Sequence, residues 1–309
     1  MKTNFTYSLI SVFCFILTST QAQDPYVFRV LASKGQNTIK VTSSGGEAQP
    51  VKTGVKIFKE DEITLAEEGY IGLVHSSGKT IELKTPGVHL VSDLQSKINT
   101  SSTSLANKYA EFVFNQMTKA ESEDINKNSR VNNKVTGSVE RASDPIHLIA
   151  PNTTYIHGPI AMINWDAPEN TTEFVVTVKN LFDNNLLTEE TNVKNISIDI
   201  NDPKLKNEKL LIINVKSKLD SKMTSNEVGI KKLSEKELEI IDKDLAALQA
   251  ETTEETPLNK IIIATFYEQN HLLLDAIVNY EAALKLAPGV QDFKTAYDMF
   301  LERNNLKID

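Results

Sequence analysis

The sequence predicts a multidomain chain, mainly β and then α: a small antiparallel β domain, a linker, a β-sandwich and a C-terminal helical unit. Three observations predict it. Short apolar runs separated by turn residues fill residues 26–94 and 145–233. Residues 119–144 between them are polar and lack aromatics. From Ser234 onward, apolar residues recur at three- and four-residue spacings instead.

Residues 1–22 open with Lys2, continue through the apolar run Leu9 to Leu17, and end in small and polar residues at Ala22. This is the three-part layout of a secretory signal peptide removed after Ala22. The run is about half of the ~20 apolar residues that a membrane-spanning helix needs. Cys14, the one cysteine, would leave with it, so no disulfide staples the mature chain. Loss of Lys2 leaves 32 basic against 41 acidic residues, a charge of −9. A nucleic-acid binder would need a basic footprint, which is not there. The expected location is the periplasm, the cell surface or the medium, with no transmembrane segment in the mature chain. The abundance of Asn, Lys and Ile fits an AT-rich bacterial genome.

Residues 24–98 form the first unit. Val27–Leu31 and Thr38–Val41 flank a turn at Lys34–Asn37, Gly45 and Gly46 supply a second turn, and strands follow at 63–65, 70–74 and 80–83. The stretches Pro50 to Thr64 and Gly69 to Leu83, the latter ending in Ser77-Gly78-Lys79-Thr80-Ile81-Glu82-Leu83, resemble the β-rich periplasmic domain of FecR-type proteins. The resemblance covers about a quarter of the chain and rests on short motifs.

Residues 99–144 read as a helix and a polar linker. Leu105, Tyr109, Phe112, Val113 and Met117 fall on one helical face, and the chain then turns polar.

Residues 145–233 return to strands, at 146–149, 160–165, 173–178, 195–200 and 209–215. Pro151-Asn152, Gly158-Pro159, the Ile163-Asn164-Trp165 strand and the Phe174-Val175-Val176-Thr177-Val178 strand resemble an immunoglobulin or fibronectin type III sandwich. Trp165 is its expected core aromatic, a structural residue.

Residues 234–309 read as helices. Ser234 and Glu237 have the spacing of a capping box, and Leu238, Ile241, Leu245 and Leu248 make an apolar stripe. Ala264, Tyr267, Ala276, Tyr280, Ala283 and Pro288 resemble one tetratricopeptide repeat, in which small residues let two helices approach and a proline ends the second. A half-repeat follows, with Phe293, Tyr297, Phe300 and Leu301 inward. The resemblance implies a peptide or protein partner on the groove side of the first helix, with Leu258, Ile261, Thr265, Glu268 and Gln269 facing outward.

No catalytic constellation emerges. Gly78-Lys79-Thr80 lacks the four-residue glycine spacing of a phosphate loop and runs into a strand pattern, so it reads as a hairpin turn. The five histidines are scattered, and there is no Gly-x-Ser-x-Gly elbow. Glu67-Glu68 and Glu254-Glu255 are adjacent and so point apart. The sequence therefore predicts no catalytic, cofactor-binding or metal-binding residues, and not an enzyme. The expected function is that of an exported protein-interaction module or scaffold of the bacterial envelope. The alternatives are a glycan-binding envelope protein, using aromatics such as Tyr155 or Trp165 on the sandwich, and a hydrolase whose site is assembled from distant residues.

Overall fold

The computed structural model describes residues 25–42, 45–98, 105–124 (side chains to 117), 146–252 and 254–306; the signal-peptide segment lies outside these residues. The chain runs through antiparallel strands in several sheets and ends in helices. Among the described residues, no helix is long and apolar enough to cross a membrane.

The first unit has strands β1 (Phe28–Lys34), β2 (Thr38–Lys40), β3 (Ala48–Pro50), β4 (Lys56–Ile57), β5 (Glu62–Leu65), β6 (Tyr70–His75), β7 (Thr80–Leu83) and β8 (Gly87–Leu90), followed by helix α1 (Val91–Ser96). They form two four-stranded sheets, ordered β4-β1-β6-β7 and β3-β2-β5-β8. Phe28, Val30, Ile39, Ile57, Ile63, Ile71 and Leu73 share one core. All six residues of β6 are buried. Ile71 and Leu73 enter this core, while Tyr70 and Val74 on the other face join the apolar cluster of the C-terminal helices. The sheet is thus covered on both sides. Gly78-Lys79-Thr80 closes the β6–β7 hairpin, with Gly78 at φ 89°.

The second unit has β9 (His147–Leu148), β10 (Thr153–Ile156), β11 (Ile160–Asp166), β12 (Phe174–Lys179), β13 (Asn185–Thr191), β14 (Asn195–Asp199), β15 (Leu210–Ser217) and β16 (Val228–Lys232). A five-stranded sheet, β10-β16-β15-β12-β13, is accompanied by a three-stranded one, β14-β11-β9. β10 runs parallel to β16, and the other pairs are antiparallel. Trp165 is 2% exposed and meets Phe174 edge-on at 5.3 Å.

The helices are α2 (Leu105–Asp124), α3 (Glu235–Glu251), α4 (Pro257–Gln269), α5 (Leu273–Leu286) and α6 (Gln291–Arg303). The Ser234–Glu237 capping box forms on α3. Ala264, Ala276 and Ala283 are fully buried in the cluster that α4 and α5 share. Exposed Pro288 lies just past the end of α5, where its carbonyl accepts from Lys34 Nζ at 3.4 Å.

The helix read within residues 99–144 spans Leu105–Asp124. It also packs on α3, α4 and α6, making it part of the C-terminal helical body. Its buried side chains are Ala106, Tyr109, Ala110, Val113, Phe114 and Met117. The alanines allow close approach, and Phe114 takes the buried place expected of Phe112.

Candidate functional site

α4 begins at the junction with the first β unit. Thr256 caps it by accepting from Asn259 N–H at 3.2 Å, and Pro257 has no N–H to satisfy. The remaining first-turn donor, Leu258 N–H, reaches Glu82 Oε1 on β7 at 3.0 Å. Glu82 Oε2 faces Lys84 Nζ at 2.8 Å. Burial first, and then the Glu82 carboxylate, hold the Tyr70 hydroxyl well above the ordinary phenol range. Gly72 on β6 lies against the Leu258 side chain, so the start of α4 packs directly on this sheet.

Carboxylates at the start of other helices repeat the device. Glu251 of α3 accepts from Leu105 and Ala106 N–H at 3.2 and 3.0 Å, capping α2. Asp292 in the first turn of α6 takes Ser33 N–H and Thr53 Oγ1, both at 2.8 Å. Asp275 in the first turn of α5 takes His157 N–H at 3.0 Å and Gly158 N–H at 2.7 Å. Each places negative charge near the positive end of a helix dipole. Burial raises the Asp275 carboxyl above its ordinary range, against the lowering effect of those two amides.

His157 lies between Asp242 of α3, whose Oδ1 is 2.8 Å from Nε2, and the Tyr267 hydroxyl, 3.2 Å from Nδ1. A carboxylate can only accept, so Nε2 carries the proton of this contact, and the Tyr267 hydroxyl meets Nδ1 on the other side of the ring. Glu281 joins the same interface, accepting from Asn164 Nδ2 at 2.6 Å and Tyr297 O–H at 3.3 Å.

The face of α4 expected to be open to a partner is covered by the chain itself. Leu258, Ile261 and Thr265 are fully buried and Glu268 is 7% exposed; Gln269 alone of the five is exposed. Leu258 lies against β6, and Tyr109 of α2 meets Phe266 edge-on at 5.7 Å. Glu268 accepts from Arg303 Nε and Nη2 at 3.1 and 2.9 Å, from Asn304 Nδ2 at 3.1 Å and from Tyr280 O–H at 3.3 Å. Arg303 also stacks over Phe112. Tyr280 packs with Tyr297 and Phe300, so the repeat-like aromatics serve the core.

Two other features are open. A polar cleft of about 480 Å³ lies where β7, the end of α1, the end of α3 and the start of α4 meet. Lys79, Lys97 and Glu254 line it without an ion-pair partner among the described residues. The second feature is the β12–β13 hairpin, which presents Leu181 (67% exposed) and Phe182 (80% exposed). Buried Asn180 fixes this turn: its Oδ1 accepts from Phe182 and Asn184 N–H, and Lys179 Nζ reaches Asp183 Oδ1 at 2.7 Å. The sequence reading passed over this hairpin, although Asn-Leu-Phe-Asp-Asn, with two large apolar residues inside turn formers, carries the signal.

Trp165 is buried and offers no face to a sugar, while Tyr155 is 40% exposed with Lys231 over its ring. Among the described residues, no three His, Cys, Asp or Glu side chains group to hold a metal ion. The class that emerges is a β-then-α chain whose helical body clamps β units on two sides. No protein-family model matches the chain, and no curated protein matches it.

Proposed function

We propose that the chain is an exported, non-catalytic protein-interaction scaffold of the bacterial envelope. Its helical body acts as a keystone that fixes two β units relative to one another, and the β12–β13 hairpin offers the contact to a protein partner. The observation that carries this reading is the presentation of Leu181 and Phe182 on a turn that is already ordered. A fixed loop loses little entropy on binding, and a buried aromatic anchor is the usual centre of a protein–protein contact. The buried carboxylates of the helical body support the scaffold part of the reading, since their oxygens are engaged in holding elements together.

A photoreactive amino acid placed at position 182, in cells of the native host, tests it. Position 240 on α3, where Ile240 is half exposed, serves as the control. The expected result is a discrete adduct from 182 that is missing from 240, on protein whose N-terminus starts after residue 22. Equal, diffuse labelling at both sites refutes the contact, and an intact N-terminus on cytosolic protein refutes export.

A further inference from the structure

The end of the sandwich that carries the β12–β13 hairpin also carries three exposed lysines. Lys179 of β12 stands opposite Ile212 of β15, so the hairpin tip runs on beside the residues that precede β15. Asn180 Nδ2 donates to Glu208 Oε1 at 3.3 Å and ties the loop 201–209 to the base of the hairpin. That loop is itself ordered. Leu205 and Lys206 N–H both donate to the Asp202 carbonyl at 2.8 Å, Leu205 is fully buried, and its carbonyl accepts from Lys232 Nζ at 2.7 Å.

Lys204, Lys206 and Lys209 are exposed and have no ion-pair partner among the described residues. The carboxylates around them are engaged. Asp199 and Asp202 each accept from the backbone N–H two residues on, at 2.9 and 2.8 Å; Glu208 holds Asn180; and Asp183 pairs with Lys179 at 2.7 Å. In a chain of net charge −8, this end offers ammonium groups to solvent next to Leu181 and Phe182, while its carboxylates are held by donors of the chain itself.

We propose that the partner met by the hairpin presents an apolar socket rimmed by Asp and Glu, with Leu181 and Phe182 filling the socket and Lys204, Lys206 and Lys209 facing the rim. The inference rests on the protein-contact reading above and adds the chemistry of the partner. An apolar anchor inside a polar rim is the usual anatomy of such a contact. Opposite charges on the two rims set the orientation and speed the encounter. A bilayer fits less well. Asp183 adjoins Phe182 at the tip with its side chain 81% exposed, so dipping Phe182 among acyl chains would carry a carboxylate toward the headgroups, and two apolar side chains are a weak anchor. At a protein surface that carboxylate stays in solvent beside Lys179.

Photocrosslinking from position 182 of the full chain, in cells of the native host, tests it in two backgrounds of equal charge change. K204E/K206E lies beside the hairpin, and K216E/K222E lies at exposed positions toward the far end of the same sheet. Both should keep the parent's thermal midpoint. The protein adduct from 182 should fall about tenfold with K204E/K206E and stay within about twofold with K216E/K222E. K204Q/K206Q, which removes charge without reversing it, should fall between the parent and K204E/K206E. Mass spectrometry of the joined peptide should find Asp or Glu beside apolar residues. A K204E/K206E yield equal to the parent's, equal losses in both backgrounds, or a joined peptide without acidic residues overturns the acidic rim and leaves the hairpin contact standing. Lipid joined to position 182 in place of protein overturns it too. Absence of any discrete adduct in the parent removes the hairpin contact itself, and this inference with it.

Discussion

Replacing Asp275 tests whether the sandwich is held on the helical body by a carboxylate. The side chain is 5% exposed and accepts from two backbone donors, at 3.0 Å from His157 and 2.7 Å from Gly158. Asp275→Ala removes both acceptors. An unsatisfied buried donor costs about 1–3 kcal/mol, so two cost about 2–6 kcal/mol, less what is regained by no longer burying a carboxylate. Asp275→Asn retains one acceptor and turns an N–H₂ toward the other donor, and should fall between the two.

At pH 7 each kcal/mol lowers the midpoint by about 2–4 °C, which thermal unfolding resolves readily. The pH dependence has a definite sign. Folding raises the Asp275 carboxyl above its ordinary 3.8, so the folded state binds the extra proton, and stability falls as pH rises from 3.8 through the raised value. Asp275→Asn does not titrate. The advantage of wild type over Asp275→Asn should therefore be larger at pH 4 than at pH 7. An Asp275→Ala variant as stable as wild type at pH 7 would refute the clamp, as would an advantage that grows with pH.

Two further outcomes follow from the same geometry. Glu268→Ala strips the partner from Arg303 and should destabilise the fold by about 3 kcal/mol, whereas Gln269→Ala, at the exposed neighbouring position, should stay within about 0.5 kcal/mol in urea unfolding. Burial, and then Lys79, lower the His75 imidazole below its ordinary 6.5; its Nδ1 accepts from Ser77 N–H at 3.0 Å and loses that capacity when protonated. The stabilisation is complete above pH 6.5 and fades as pH falls from there through the lowered value, so His75→Asn should flatten the change in urea midpoint between pH 8 and pH 5.5.

What the sequence revealed and what it concealed have a common physical origin. Strand alternation at β5, β11 and β12 reports one buried face, and small residues at 264, 276 and 283 report a tight helix pair; both are local patterns. The unbroken apolar run Tyr70-Ile71-Gly72-Leu73-Val74 was the available sign that β6 is buried on both faces, and with it that the helices lie against this sheet. β13 was missed because its exposed edge reads as polar, with Thr188, Glu189 and Glu190 in succession. For α4 the pattern identified which residues share a face but not what covers that face. Leu258 and Ile261 are as apolar as any core position, which favours burial over display.

The helix-start carboxylates show the same limit most clearly. Asp275 and Asp292 in a first turn are ordinarily read as local complements to the helix dipole, and nothing nearby in sequence marks them otherwise. Their acceptor capacity goes instead to donors 118 and 259 residues away. The trace left in sequence lies at the far end of the first contact. Gly158 has an unremarkable backbone angle, yet a Cβ there would stand 2.8 Å from Asp275 Oδ1. The glycine is needed for approach and not for turning. Gly158→Ala should consequently weaken the same junction as Asp275→Ala, and the double variant should cost less than the sum of the two, because each removes the contact on which the other acts.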